Sequence, residues 1–257
     1  MLSIFGLPIA DLDLAEAVER INALVRGHGQ HLVVTANPEI LVYAQKNQNY
    51  REVLAQADLL LPDGVGVVLV SYLCGQPLTR GRVPGVELVE RLIAESGNKG
   101  YSLFLIGSSK DILDKTTHYF AYKYSKINII GYNEGPIFAI TDHFPLNLPA
   151  NDHLIQDIKN LKPDIILVAF GHPKQELWLN YYLPLLPVKV GIGVGGTFDY
   201  FAKVAKRAPA WLRKLGLEWL WRFGNEPKRL GRILTAVVVF PTLVLIGCFK
   251  KMFHVEH

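Results

Sequence analysis

Residues 162–178 read KPDIILVAFGHPKQELW, and this stretch decides the fold. Asp164–Gly171 is a run of Ile, Leu, Val, Ala and Phe with apolar side chains on both faces. That is the composition of a strand buried in a parallel sheet, not of one half open to water. The run stops at Gly171-His172-Pro173, and helical spacing begins at once. A strand that ends in small and polar residues and feeds a helix is half of a βα unit.

The same unit recurs outward in both directions. HLVVT (31–35), DLLL (58–61), YSLFLIG (101–107), INIIG (127–131) and VKVGIGVG (188–195) read as further strands. Between them Pro38–Asn49, Val86–Ser96, Ser109–Tyr124 and Asn151–Leu161 carry helical spacing. The alternation predicts an α/β fold, a Rossmann-like, doubly wound and mostly parallel sheet. Nearly every strand ends in small or polar residues: Thr35-Ala36-Asn37-Pro38, Pro62-Asp63-Gly64, Gly107-Ser108-Ser109, Gly195-Gly196-Thr197. Ligands of open α/β sheets bind outside the carboxyl ends of the strands, where helix N-termini offer free N–H groups suited to phosphate. A nucleotide or other phosphate ligand follows from this pattern alone.

Charge divides the chain. Residues 1–202 carry 16 Lys and Arg against 20 Asp and Glu, whereas 203–232 carry nine against two, and the whole chain has a formal charge of +4. In 207–232, RAPAWLRKLGLEWLWRFGNEPKRLGR, basic residues interleave with Trp211, Trp219 and Trp221. ILTAVVVFPTLVLIGCF (233–249) follows, almost wholly apolar apart from Pro241. Arg beside Trp suits a membrane interface, and the apolar run makes nucleic acid the weaker partner. We therefore divide the chain into a catalytic core, 1–196, and a helical appendage, 197–257, that associates with anionic membrane. The apolar segment is read as lying in the interface and not as spanning the bilayer. The N-terminus lacks a basic region followed by an apolar run, so no signal peptide is expected. Cys74 and Cys248 are distant and have no metal-spaced neighbours, so neither a disulfide nor a zinc site is expected, which fits a reducing compartment.

Individual residues carry two readings each. Asp63, at a strand end in LLLPDGVG, could take the proton of an acceptor hydroxyl, or could simply cap a helix. Thr35 and Asn37 could line the crevice, while Asn37 before Pro38 is equally an N-cap with Pro at N1. Lys174 and Gln175 open a helix and would project toward a diphosphate; Lys is unfavourable there without an anion. His172 reads as structural. GIGVGG (191–196) satisfies G-x-G-x-x-G, but no acidic residue closes a following strand. Glycines that let the backbone approach a ligand or a helix explain it better than a dinucleotide site. Asp11-Leu12-Asp13 reads as helix capping, not as a metal site.

Taken together, TANPEILVYA (35–44), ADLLLPDGVGVV (57–68), RVPGVELVERL (82–92), KPDIILVAFGHPKQELW (162–178), GVGGTFDYFA (193–202) and 207–232 resemble the WecG/TagA/CpsF family of bacterial glycosyltransferases. The resemblance covers roughly residues 1–232. It implies a metal-independent, inverting enzyme without cofactor. Such an enzyme moves N-acetylmannosamine or a related sugar from a UDP-sugar to undecaprenyl-diphosphate-linked GlcNAc, in teichoic acid or other surface polysaccharide synthesis. By the same resemblance Asp63 is the base. Thr35, Asn37, Arg82 and Gln175 bind the donor or line the site, and Arg222, Arg229 and Arg232 close over a diphosphate. The family usually has Gly where this chain has Lys203. The implied location is the cytoplasmic face of the plasma membrane, peripherally bound, with a homo-oligomer left open. The rival classes are a nucleotide-dependent oxidoreductase acting through GIGVGG, and a membrane-bound UDP-sugar-binding protein without chemistry.

Overall fold

The computed structural model describes residues 2–138, 152–225 and 230–253. It opens with an antiparallel hairpin of β1 (Leu2–Ile4) and β2 (Leu7–Ile9), turned by Phe5 and Gly6, both at positive φ. Two consecutive positive φ values make the turn whose twist matches the strands it joins. There follow α1 (Leu14–Arg26), β3 (His31–Ala36), α2 (Pro38–Lys46), α3 (Gln48–Ala55), β4 (Leu59–Pro62), α4 (Val65–Leu73) and α5 (Gly85–Lys99). The second half adds β5 (Leu103–Ile106), α6 (Lys110–Lys123), β6 (Ile129–Asn133), α7 (Asp152–Leu161), β7 (Ile165–Val168), α8 (Lys174–Tyr182) and β8 (Val190–Gly193).

All six strands expected from the sequence form one parallel sheet in the order β4-β3-β8-β7-β5-β6. The last strand in the chain, β8, is thus inserted between β3 and β7 at the centre. Each face of the sheet has its own apolar layer, because strand side chains alternate. Leu32, Val34, Ile166 and Val168 pack on one side with α2, α3 and α8 residues. Val33, Ile165, Leu167 and Ile192 pack on the other with residues of α1, α5 and α6. Burial on both faces is why these strands are continuous apolar runs.

Local signals hold at the caps. Asp13 caps α1 and exchanges bonds with Glu16 in a reciprocal capping box. Asp11 accepts from the backbone N–H groups of Thr79 and Arg80 and from the Thr79 hydroxyl. The Asp-Leu-Asp triplet is therefore structural. Gly191 and Gly193 are places where a Cβ would lie 2.5 Å from Leu179 Cδ2 and 2.6 Å from Gln175 Nε2. Their role is to let α8 approach β8.

The C-terminal part comprises α9 (Thr197–Phe201), α10 (Ala210–Lys214), α11 (Glu218–Asn225), α12 (Leu230–Leu234), a π-helical segment (Thr235–Val239) and α13 (Phe240–Phe253). Leu230–Cys248 has a mean hydropathy of 2.1 and is long and apolar enough to cross a membrane by length and composition. Pro241 does not break it: the preceding π turn absorbs the missing backbone donor. This helix lies back on the body. Phe240 is fully buried and Val244 nearly so, in the same apolar layer as α2 and α4.

Two expectations are corrected here. Cys74, at the end of α4, and Cys248, in α13, form a disulfide with their Cα atoms 5.8 Å apart. They are 174 residues apart, and only the return of α13 onto α4 brings them together. The inference of a reducing compartment loses that support. Lys174, expected to face the crevice, instead holds its ammonium over the Phe138 ring at 5.3 Å.

Candidate active site

The carboxyl ends of β3, β4, β7 and β8 surround a polar cleft with about 170 Å³ of space for water. Thr35, Asn37, Asp63, Gly171, Gln175, Gly195 and Gly196 line it from the core, and Arg207, Glu218 and Arg232 line it from the appendage. Four residues predicted from the sequence (Thr35, Asn37, Asp63 and Gln175) thus converge, although they come from three different βα junctions.

Each is held for a local reason. The Thr35 hydroxyl donates to Gly193 O across the β3–β8 pair, at 3.4 Å. Asn37 caps α2 by accepting from Ile40 N–H at 3.0 Å, with Pro38 at N1. Its Oδ1 is thereby committed, which leaves its amide N–H groups for a ligand. Asp63 follows β4, its N–H bonded to Ala36 O, and Gly64 beyond it has φ +100°, a conformation suited to glycine. Gly85, the first residue of α5, has no side chain where Thr35 Oγ1 and Asp63 Oδ2 come close; a Cβ there would lie 3.5 and 3.7 Å from them. Gln175 is a clamp. Its Oε1 accepts from Gly171 N–H (3.1 Å) and Gly195 N–H (2.9 Å), and its Nε2 donates to Glu176 at 2.7 Å. It fixes the two glycine loops whose backbone lines the cleft.

Arg82 lies elsewhere than the polar cleft. It donates to Arg213 O at 2.9 Å and faces Glu218 at 3.7 Å, on the wall of a second cavity. Arg232 reaches the cleft directly. Arg229 lies outside the described residues, and so does the side chain of Arg222.

Several site residues escaped the sequence reading. Glu39, in the first turn of α2, accepts from His172 Nε2 at 3.2 Å and from Arg232 Nε at 2.5 Å. Burial opposes its ionisation, but the His172 hydrogen bond and the Arg232 charge outweigh it and hold the carboxyl below its usual range. Arg207 pairs with Glu87 at 2.7 Å, and Arg213 shares the same carboxylate at 3.0 Å. Glu39 was hidden because an acidic first-turn residue is ordinary helix chemistry. Arg207 was one basic residue among nine. Behind the cleft, Glu176 is fully buried, and desolvation raises its pKa despite the Gln175 hydrogen bond. Its neighbour Tyr50 is pushed well above its ordinary value, first by burial and then by Glu176 itself.

Beside the polar cleft runs a larger groove, about 330 Å³, between α4 and the C-terminal helix. Its walls are mostly apolar, yet Asn37, Glu39, Asp63 and Glu218 line both cavities. The two cavities adjoin, with Asp63 on the shared wall.

A cleft at the carboxyl ends of central parallel strands, edged by helix N-termini, is the ligand site of the doubly wound α/β proteins. Among these, the chain belongs to the glycosyl transferase WecG/TagA/CpsF family, whose model matches residues 2–253. It is 36% identical over 203 residues to an N-acetylglucosaminyldiphosphoundecaprenol N-acetyl-beta-D-mannosaminyltransferase of Bacillus spizizenii, covering 79% of this chain and 74% of that protein. It is 34% identical to the protein of the same name from Bacillus subtilis, covering 87% and 82%. The corresponding figures for one from Staphylococcus aureus strain MW2 are 32%, 90% and 87%. The chain is a glycosyltransferase of the N-acetylmannosaminyltransferase type.

Proposed function

We propose that the chain transfers N-acetylmannosamine from a UDP-sugar to undecaprenyl-diphosphate-linked GlcNAc, with inversion, at the cytoplasmic face of a membrane to which it is peripherally bound. The observation that carries this reading is the position of Asp63, on the one wall shared by a polar cleft and an apolar groove. A lipid-linked acceptor and a nucleotide-linked donor must meet at such a boundary.

In this reading the donor occupies the polar cleft, where Thr35, Asn37 and the Gly171 and Gly195 loops provide neutral hydrogen bonds. Asp63 accepts the proton of the acceptor hydroxyl as its oxygen attacks the anomeric carbon. The bond from that carbon to the diphosphate oxygen breaks on the opposite side, and the electron pair leaves with UDP. Arg207 and Arg232 bring positive charge to the departing diphosphate. Both belong to the 197–257 appendage, so the site is complete only when that appendage is docked.

The GIGVGG stretch does not favour the oxidoreductase alternative, since Gly191 and Gly193 are occupied in packing against α8. Mass-spectrometric product analysis tests the proposal, using a panel of UDP-sugars and a polyprenyl-diphosphate-GlcNAc acceptor. A disaccharide product formed from UDP-N-acetylmannosamine is the expected outcome. No product from any donor would overturn it.

A further inference from the structure

The groove between α4 and the C-terminal helix is lined by Leu69, Leu73, Trp219, Ile233, Val237 and Pro241, among other residues. We infer that it is the channel for the isoprenoid chain of the acceptor, leading the lipid from the bilayer to Asp63. This assignment rests on the transferase reading above and deepens it.

Three observations select that occupant. First, the groove adjoins the polar cleft, the two sharing Asn37, Glu39, Asp63 and Glu218. An acceptor of this class changes from apolar chain to diphosphate to sugar along its length, and the cavity changes character in the same order. Second, Arg82 lines the groove near that junction, where a diphosphate between chain and sugar would lie. Third, the apolar lining is itself open to solvent on the α4 side: Leu69 is 58% exposed and Leu73 64%. Exposed apolar side chains that line a groove suit a lipid or partner contact. A chain anchored in the bilayer could enter the groove without crossing water.

The two helices that frame the groove also meet beyond it: Cys74, at the end of α4, and Cys248, in α13, have their Cα atoms 5.8 Å apart. Leu69 and Val237 stand on opposite walls, one on α4 and one on the π-helical segment.

Initial rates in detergent micelles test the assignment, comparing a long isoprenoid-diphosphate-GlcNAc with an analogue bearing a short alkyl chain. The wild-type chain is expected to gain about tenfold or more in kcat/KM from the longer chain, as burial of added methylenes requires. Leu69→Glu and Val237→Glu, which charge the groove, and Ala236→Phe, which fills it, are expected to reduce that gain to within about threefold. Val238→Glu, on the same helix but outside the groove, serves as the control and should retain it. Melting temperature and UDP binding of each variant establish that it is folded. If the groove variants keep the full gain, or Val238→Glu loses it equally, the channel is overturned in favour of a general micelle-facing surface. If the wild-type chain turns over neither acceptor, the transferase reading itself fails.

Discussion

Arg232 and Glu39, 193 positions apart in the chain, meet at 2.5 Å on the wall of the cleft. The same carboxylate takes a hydrogen bond from His172. One side chain of the first half thus joins α12 to the loop after β7, and Arg232 reaches the cleft by pairing with it.

Arg232→Ala and Glu39→Gln should therefore both lower kcat by roughly tenfold or more while leaving the core folded. The pH dependence has a definite sign. The Glu39 carboxyl is held below its ordinary value of 4.5, so its contribution is present above pH 4.5 and is lost as pH falls through the depressed value. Proteolysis of the appendage, followed by gel electrophoresis, should accelerate only below that point in the wild type. In Glu39→Gln it should be equally fast at every pH.

Asp63→Asn preserves the shape of the shared wall and removes the base. Turnover should fall by about a hundredfold or more with UDP binding nearly unchanged, as single-turnover rates and calorimetry would read. A kcat within a few-fold of the wild type would reduce Asp63 to a turn residue.

Glu176 makes the opposite pH argument from Glu39. Burial raises its carboxyl above the ordinary 4.5, so the folded chain keeps a proton that the unfolded chain gives up. Its stabilising contribution is whole below pH 4.5 and is lost as pH rises toward the raised value. Glu176→Gln, which keeps the amide-like hydrogen bonding without the proton, should flatten this decline in thermal melts taken between pH 5 and 8.

Gly193→Ala drives a methyl group to 2.6 Å from Gln175 Nε2, the residue that clamps both glycine loops. The expected loss is about 1–3 kcal/mol of stability, the usual range for overpacking. Weaker UDP binding should accompany it. An unchanged melting temperature would mean that the glycine serves a ligand and not the packing of α8.

Lys203 has φ +58°, in the left-handed region that favours glycine. It is also the position at which the family resemblance leads one to expect glycine. Lys203→Gly should raise stability by about 1 kcal/mol, readable as an upward shift of the denaturant midpoint.

What the sequence made legible follows from the reach of its signals. Buried strands such as Ile165–Val168 announce themselves in four residues, and the small residues after each mark the crevice. Asp63, Thr35, Asn37 and Gln175 drew attention because each stands at or beside such a junction, and the fold gathers them around one cleft. The sequence could not show what depends on distant segments meeting. Cys74 with Cys248, Glu39 with Arg232 and Gly85 with Thr35 are pairings set by tertiary contact, and no local period encodes them. The β1–β2 hairpin escaped because three-residue strands are too short to display alternation. Arg82 was placed by its motif near the donor, but its fork is turned to Arg213 O and Glu218 by the appendage packed above it.

The central position of β8 has a consequence for how the protein is made. β3 and β4 leave the ribosome early, yet the inner edge of β3 has no partner until Val190–Gly193 emerges. The β5–β6–β7 half waits for the same strand, since β7 also pairs with β8. Until three-quarters of the chain has been synthesised, the nascent protein is two half-sheets, each with an open edge of the kind that invites chaperones or aggregation. The four residues of β8 close both edges at once, and the residues that follow directly, Gly195 and Gly196, complete the cleft. The cleft proposed for the donor therefore takes shape only once the sheet is whole.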